Sequence, residues 1–96
     1  MKMVMIAYNE AIESDVMEVL QNCALKNYTK VPGIFGKGDT SGTHSGNDIW
    51  PGRNNLLFVV CDEQQAKQML SCVKELRKHL GKEGIKAFIL PVEAIT

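Results

Sequence analysis

Two halves of this 96-residue chain repeat one order of elements: a short apolar run, a stretch with helical spacing, then a second apolar run. Residues 2–8 carry Met3, Val4, Met5 and Ile6 together and read as a strand. Ile12, Val16, Val19, Leu20 and Cys23 then recur on one helical face. Asn9 or Ser14 is a suitable cap. Glu10, Glu13, Asp15 and Glu18 suit the positive end of the helix dipole, and Asn27 is the expected stop after Lys26. Tyr28 to Phe35 reads as a second strand. Its Pro32 and Gly33 predict an edge position, a bulge or a kink.

The second half begins with the unbroken apolar run Leu56 to Cys61, expected to be a central strand buried on both faces. Asp62, with Gln65 three residues on, predicts a capping box. Ala66, Met69, Leu70, Val73, Leu76 and Leu80 follow the helical period. Lys74, Arg77, Lys78 and His79 place positive charge near the helix end, and Gly81 stops it. Ile85 to Val92 is the last strand. The order β-α-β-β-α-β predicts an α+β, ferredoxin-like sandwich. It has a four-stranded antiparallel sheet with two helices on one face, built as a single domain over 1–96. Two helices cover one face only, and the strands are too apolar to leave the other wet. A second subunit is the expected cover.

Between the halves the composition changes. Residues 36–55 hold five of the eight glycines and almost no apolar side chains, so they form a long connection. Connections of that length in compact domains tend to be functional or disordered. Successive amides in such a stretch can form an anion-binding nest. The candidate ligand-binding residues are Lys37, Gly38, Gly42, Thr43, His44, Trp50 and Arg53, with Lys37 and Arg53 supplying positive charge at its ends. His44 with Asp39 and Asp48 is a candidate set for a divalent metal, imidazole plus carboxylate suiting zinc, nickel, cobalt or iron. The bland alternatives are a polar surface histidine and a Trp50 that merely anchors the connection. His79 is read as a helix-end charge.

Composition closes off other classes. Eleven basic residues balance eleven acidic ones, which leaves no excess to neutralise phosphates, so nucleic acid is not expected as a partner. No apolar run reaches the ~20 residues of a membrane helix. The apolar start is too short for a signal peptide, so a cytoplasmic protein is expected. Cys23, Cys61 and Cys72 are odd in number and form no Cys-x-x-Cys pair, which argues against a disulfide framework. Those thiols, with Met3, Met5, Met17 and Met69, are expected in the core. No Ser/His/Asp arrangement is identifiable, so the residues point to binding and not to catalysis.

The residues 86–93, Lys-Ala-Phe-Ile-Leu-Pro-Val-Glu, resemble the last core strand of the P-II signal-transduction family, Lys-Ile-Phe-Val-x-Pro-Val-Glu. Gly33-Ile34-Phe35-Gly36-Lys37-Gly38 is similar to the start of that family's long T-loop. The resemblance implies a ferredoxin-like fold, a homotrimer and a small effector held in the clefts between subunits. It also implies that the 36–55 connection, as a T-loop, docks on a protein target such as a transporter or an enzyme. Three features depart from the family pattern. The phosphate-holding loop Thr-Gly-x-x-Gly-Asp-Gly-Lys is replaced by Gly81-Lys82-Glu83-Gly84. The residues 93–96 after the last strand, Glu-Ala-Ile-Thr, do not match the Arg-rich segment expected there. The 36–55 stretch has no tyrosine to be uridylylated. The expectation is a divergent P-II-like regulator whose effector is a nucleotide, another anion or a divalent metal. The alternative is a metal-binding or metal-homeostasis protein on the same trimeric scaffold.

Overall fold

The computed structural model describes residues 1–36, 53–80 and 84–96. Strand β1 (Lys2–Asn9) leads through a 3-10 turn (Glu10–Ile12) into helix α1 (Glu13–Asn22). Strands β2 (Thr29–Ile34) and β3 (Asn54–Cys61) follow, then helix α2 (Glu63–Leu80) and strand β4 (Ile85–Pro91). The strands form one sheet in the order β2-β3-β1-β4, and every neighbouring pair is antiparallel. This is the ferredoxin-like arrangement expected from the element order.

The register sorts the side chains onto two faces. Across β3, β1 and β4, Val59, Val4 and Ile89 lie in one row, and Leu57, Ile6 and Ala87 in the next. These rows meet Val16 and Leu20 of α1 and Ala66, Met69 and Val73 of α2, and together they form the core. The opposite rows are Val60, Met3, Leu90 and Phe58, Met5, Phe88, continued by Leu56, Ala7 and Lys86. Phe88 is 45% exposed and Val60 40%. From Leu56 onward β3 is therefore fully buried on the helix face only, through Leu57, Val59 and Cys61. Met69 is a core filler and Met17 packs on the core edge, whereas Met3 and Met5 point to the open face. Their odd positions in β1 put them there, since side chains alternate across a strand. Cys23 and Cys61 are buried, Cys72 is half-buried, and all three are free thiols. Burial pushes the Cys23 thiol up to about 11, helped by the neighbouring Cys72 and Cys61.

The ends of the helices follow their own chemistry. Asp62 Oδ1 accepts from the Gln65 amide at 2.7 Å, and Gln65 Oε1 accepts from the Asp62 amide at 3.4 Å. That is the capping box expected at α2. Asn9 caps the 3-10 turn, its Oδ1 accepting from the Ala11 amide at 2.9 Å. Helix α1 stops at Asn22, earlier than the expected Asn27. Ala24 takes φ 57°, so that the Ala24 amide reaches the Gln21 carbonyl at 3.0 Å and the Leu25 amide the Leu20 carbonyl at 2.9 Å. This left-handed turn satisfies the last carbonyls and folds Leu25 back on the core, a gain that outweighs one more helical turn. Alanine is strained at that angle and glycine is not. Ala24→Gly is accordingly expected to raise stability by about 1 kcal/mol, read as a higher urea midpoint with unchanged slope.

Strand β2 is an edge strand, and its register shifts between Val31 and Ile34, with Gly33 at φ 68°. Pro32 and Gly33 thus mark both the edge and the bulge.

Candidate functional site at the foot of the long connection

At one end of the sheet four chain segments converge. The Asn9 amide donates to the Gly84 carbonyl at 2.9 Å, which ties the end of β1 to the connection between α2 and β4. The Glu10 amide donates to the Arg53 carbonyl at 2.8 Å, which ties the same turn to the returning limb of the long connection. Asn54 pairs with Asn9 on one side and with Ile34 on the other. Gly36, where the connection departs, has open space around it.

Of the residues proposed from sequence, Arg53 is described. Its backbone is fixed by Glu10 and its side chain is exposed at this end. Lys37, Gly38, Asp39, Gly42, Thr43, His44, Asp48 and Trp50 lie outside the described residues. Among the described residues no three His, Cys, Asp or Glu side chains are close enough to share a metal. His79 stands exposed in the last turn of α2.

Three features escape a reading by residue type. Lys86 extends from the open face of β4 in the row of Ala7 and Leu56, its Nζ 5.7 Å from the centre of the Phe88 ring. It lies inside the motif Lys-Ala-Phe-Ile, but residue type alone does not mark it as a site residue. The other two are Asn54 and Asn55, assigned from composition to the connection yet forming the start of β3. Both are buried polar residues. Among the described residues the Asn54 Oδ1 atom is buried without a hydrogen-bond partner, a costly state for an amide oxygen that leaves it ready to accept from a further donor.

Asn55 faces the helices. Its Oδ1 accepts from the Gly33 amide at 3.3 Å, and its Nδ2 donates to Glu13 Oε1 at 3.3 Å. The fully buried Tyr8 hydroxyl donates to the same carboxylate oxygen, and Lys30 Nζ lies 3.0 Å from Oε2. Burial drives the Tyr8 phenol well above its ordinary range, and the Glu13 carboxylate adds to that. Burial alone would raise the Glu13 carboxyl as well. The hydrogen bonds from Tyr8, Lys30 and Asn55, with the Lys30 charge, outweigh it and hold the carboxyl below its ordinary 4.5. A carboxyl depressed in the folded state contributes stability above its unfolded value and loses it as pH falls through the folded one. Glu13→Gln should therefore flatten the loss of stability below about pH 4.5, measured as thermal midpoint against pH.

Among the described residues the site is thus a convergence of loop backbones with two exposed cations, Arg53 and Lys86, and one buried acceptor without a donor. Such a set suits an anion with polar groups attached. The same architecture recurs in known proteins. A protein from Thermus thermophilus described as PII-like matches with a TM-score of 0.64 at 24% identity, over 93% of this chain and 83% of that one. CPII from Thiomonas intermedia K12, a nitrogen regulatory PII-like protein, matches in its apo form with a TM-score of 0.69 at 16% identity, over 93% of this chain and 85% of that one. A CPII structure bound to ADP, AMP and bicarbonate matches with a TM-score of 0.67 at 16% identity, over 99% and 94%. No curated protein matches the chain. The family description Nitrogen regulatory protein P-II matches residues 1–96. With its ferredoxin-like sheet and a strand motif shared with that family, the chain belongs to the P-II nitrogen regulatory protein family.

Proposed function

We propose that this chain is a small cytoplasmic regulator that assembles as a homotrimer. It binds a small anionic effector between subunits at the Arg53–Lys86 end of the sheet and controls a partner protein through the 36–55 connection. The observation that carries this reading is the position of Lys86. It stands at the convergence of loop backbones and also on the apolar open face, where a neighbouring copy would complete the cleft. P-II proteins are regulators and generally not enzymes. Among the described residues no helix is long and apolar enough to cross a membrane. Binding would bias the connection among conformations and so gate the partner.

Adenine nucleotides are the first effectors to try, because CPII carries ADP and AMP with bicarbonate. Only Gly81-Lys82-Glu83-Gly84 precedes β4, which supplies few amides for phosphate, so binding weaker than that of P-II proteins with the full glycine-rich loop is expected. The test is a thermal-shift panel of ADP, AMP, ATP, bicarbonate, 2-oxoglutarate, zinc and nickel, followed by calorimetry. A nucleotide at a hundred times its Kd should stabilise by about 2.7 kcal/mol. Arg53→Ala and Lys86→Ala should each weaken it about tenfold or more, the usual effect of losing a charged hydrogen bond.

Lys37, Gly38, Gly42, Thr43, His44 and Trp50 are proposed to contribute from the connection, and His44→Ala resolves their chemistry. Protonation near pH 6–6.5, roughly the free histidine value, strengthens an anion site and weakens a metal site built on His44, Asp39 and Asp48. No stabilisation by any member of the panel would overturn the effector reading.

A further inference from the structure

The three side chains around Glu13, those of Tyr8, Lys30 and Asn55, do more than fill space. Glu13 begins α1, whereas Gly33 sits in the bulge of the edge strand β2, three residues before Gly36. Nothing in local sequence links them. The structure joins them in two steps, from Glu13 Oε1 to Asn55 Nδ2 and from Asn55 Oδ1 to the Gly33 amide. An Asn amide has one orientation that satisfies a carboxylate and an N–H together, so holding the amide end at Glu13 aims the carbonyl end at Gly33. Tyr8 and Lys30 hold the carboxylate in turn.

The link also closes a gap in the ladder. The register between β2 and β3 is interrupted from Val31 to Ile34, so the bulge lacks the regular backbone partners of an uninterrupted pair. The Asn55 carbonyl supplies the Gly33 amide with an acceptor there. The direction in which the chain leaves β2 toward Gly36 thus depends on a side chain held from the helix layer.

We propose that Glu13, acting through Asn55, is a positioning residue for the effector end of the sheet, setting the geometry of the Gly33 turn from which the long connection departs. The effect on affinity rests on the reading of that end as the effector site. The effect on the turn does not. Glu13→Gln keeps a neutral acceptor for Asn55 and Tyr8 and loses the ion pair and hydrogen bond with Lys30. Glu13→Ala removes the acceptor. Asn55→Asp keeps an acceptor for Gly33 but sets a carboxylate against Glu13, and it preserves the shape of the site should the alanine variant fail to fold.

The experiment is amide hydrogen exchange and 1H–15N NMR on the full chain, with ADP and AMP titrations alongside. The Gly33 amide is expected to move in position and to exchange about fivefold faster in Glu13→Ala and Asn55→Asp, while amides in β4 stay as in the wild type. Glu13→Gln is expected to restore the wild-type signal, which a loss of general stability would not predict. Nucleotide affinity should fall about three- to tenfold in Glu13→Ala and return in Glu13→Gln. An unmoved Gly33 amide in Glu13→Ala or Asn55→Asp overturns the proposal. So does a glutamine variant that behaves like alanine, or a moved amide with unchanged nucleotide affinity. If the wild type binds no nucleotide, the effector reading fails, and the Gly33 signal still decides whether Glu13 sets the turn.

Discussion

Phe58→Asp is expected to convert an assembly of three chains into separate ones. Phe58 lies at the middle of the open face, with Met5 beside it on β1, Phe88 one strand further, and Thr29 opposite on β2. Leu56, Val60, Met3 and Leu90 extend the apolar surface above and below. Among the described residues no helix covers this face, because α1 and α2 both pack on the rows of Leu57, Ile6 and Val4. An apolar sheet face of this extent marks an interaction surface in a stable protein. A carboxylate buried there without a partner costs several kcal/mol in each subunit. The outcome is read by sedimentation at micromolar concentration. The wild type should run near three chain masses, Phe58→Asp near one, and a Lys67→Asp control on the exposed side of α2 like the wild type. A wild type that is a clean monomer, or a Phe58→Asp protein that still sediments as a trimer, removes the inter-subunit site.

Its neighbour should behave in the opposite way. Leu57→Ala is expected to weaken the fold itself by about 2–5 kcal/mol, because Leu57 is fully buried on the helix side of the sheet and pairs with Ile6 in the centre of the core. For a domain of this size each kcal/mol shifts the thermal midpoint by about 4–8 °C, so a fall of roughly 10–30 °C is expected. Scanning calorimetry at fixed protein concentration measures it, since assembly adds to apparent stability by mass action. Residues 57 and 58 differ by one step along β3, yet one tests the fold and the other the assembly. A midpoint for Leu57→Ala within a few degrees of the wild type would contradict this account of the core.

Much of the architecture is legible in the chain. Helical spacing at Val16, Val19 and Leu20, and at Ala66, Met69 and Val73, places the two buried helix stripes. The Asp62–Gln65 spacing marks a cap that the structure forms, and Pro32-Gly33 marks the edge and its bulge. These signals are local, set by periodicity or by one residue's backbone chemistry, and so they survive without knowledge of the fold. The family-like strand motif is legible too, although the role of Lys86 within it is not. Lys86 gains meaning only beside the loop ends, and sequence adjacency does not show those.

What sequence misses depends on distant partners. Helix α1 ends at Asn22 because Leu25 has a core to return to, which helix propensity does not encode. Met3 and Met5 face outward because β1 pairs with β3 in the register that gives Val4 and Ile6 the core, and a run of four apolar residues does not reveal its own phase. Asn54 and Asn55 look like loop residues by composition. They are strand residues because Asn9, Ile34, Glu13 and Gly33 meet them there. The sequence by itself determined the order of elements, the helix stripes and the family, since each is written in spacing or in a contiguous motif. The tertiary structure alone decided which sheet face the two helices cover, which asparagine is buried facing away from them and how Glu13 reaches Gly33. Those are properties of residues brought together across as many as 42 positions of chain, where contact and desolvation, not propensity, set the outcome.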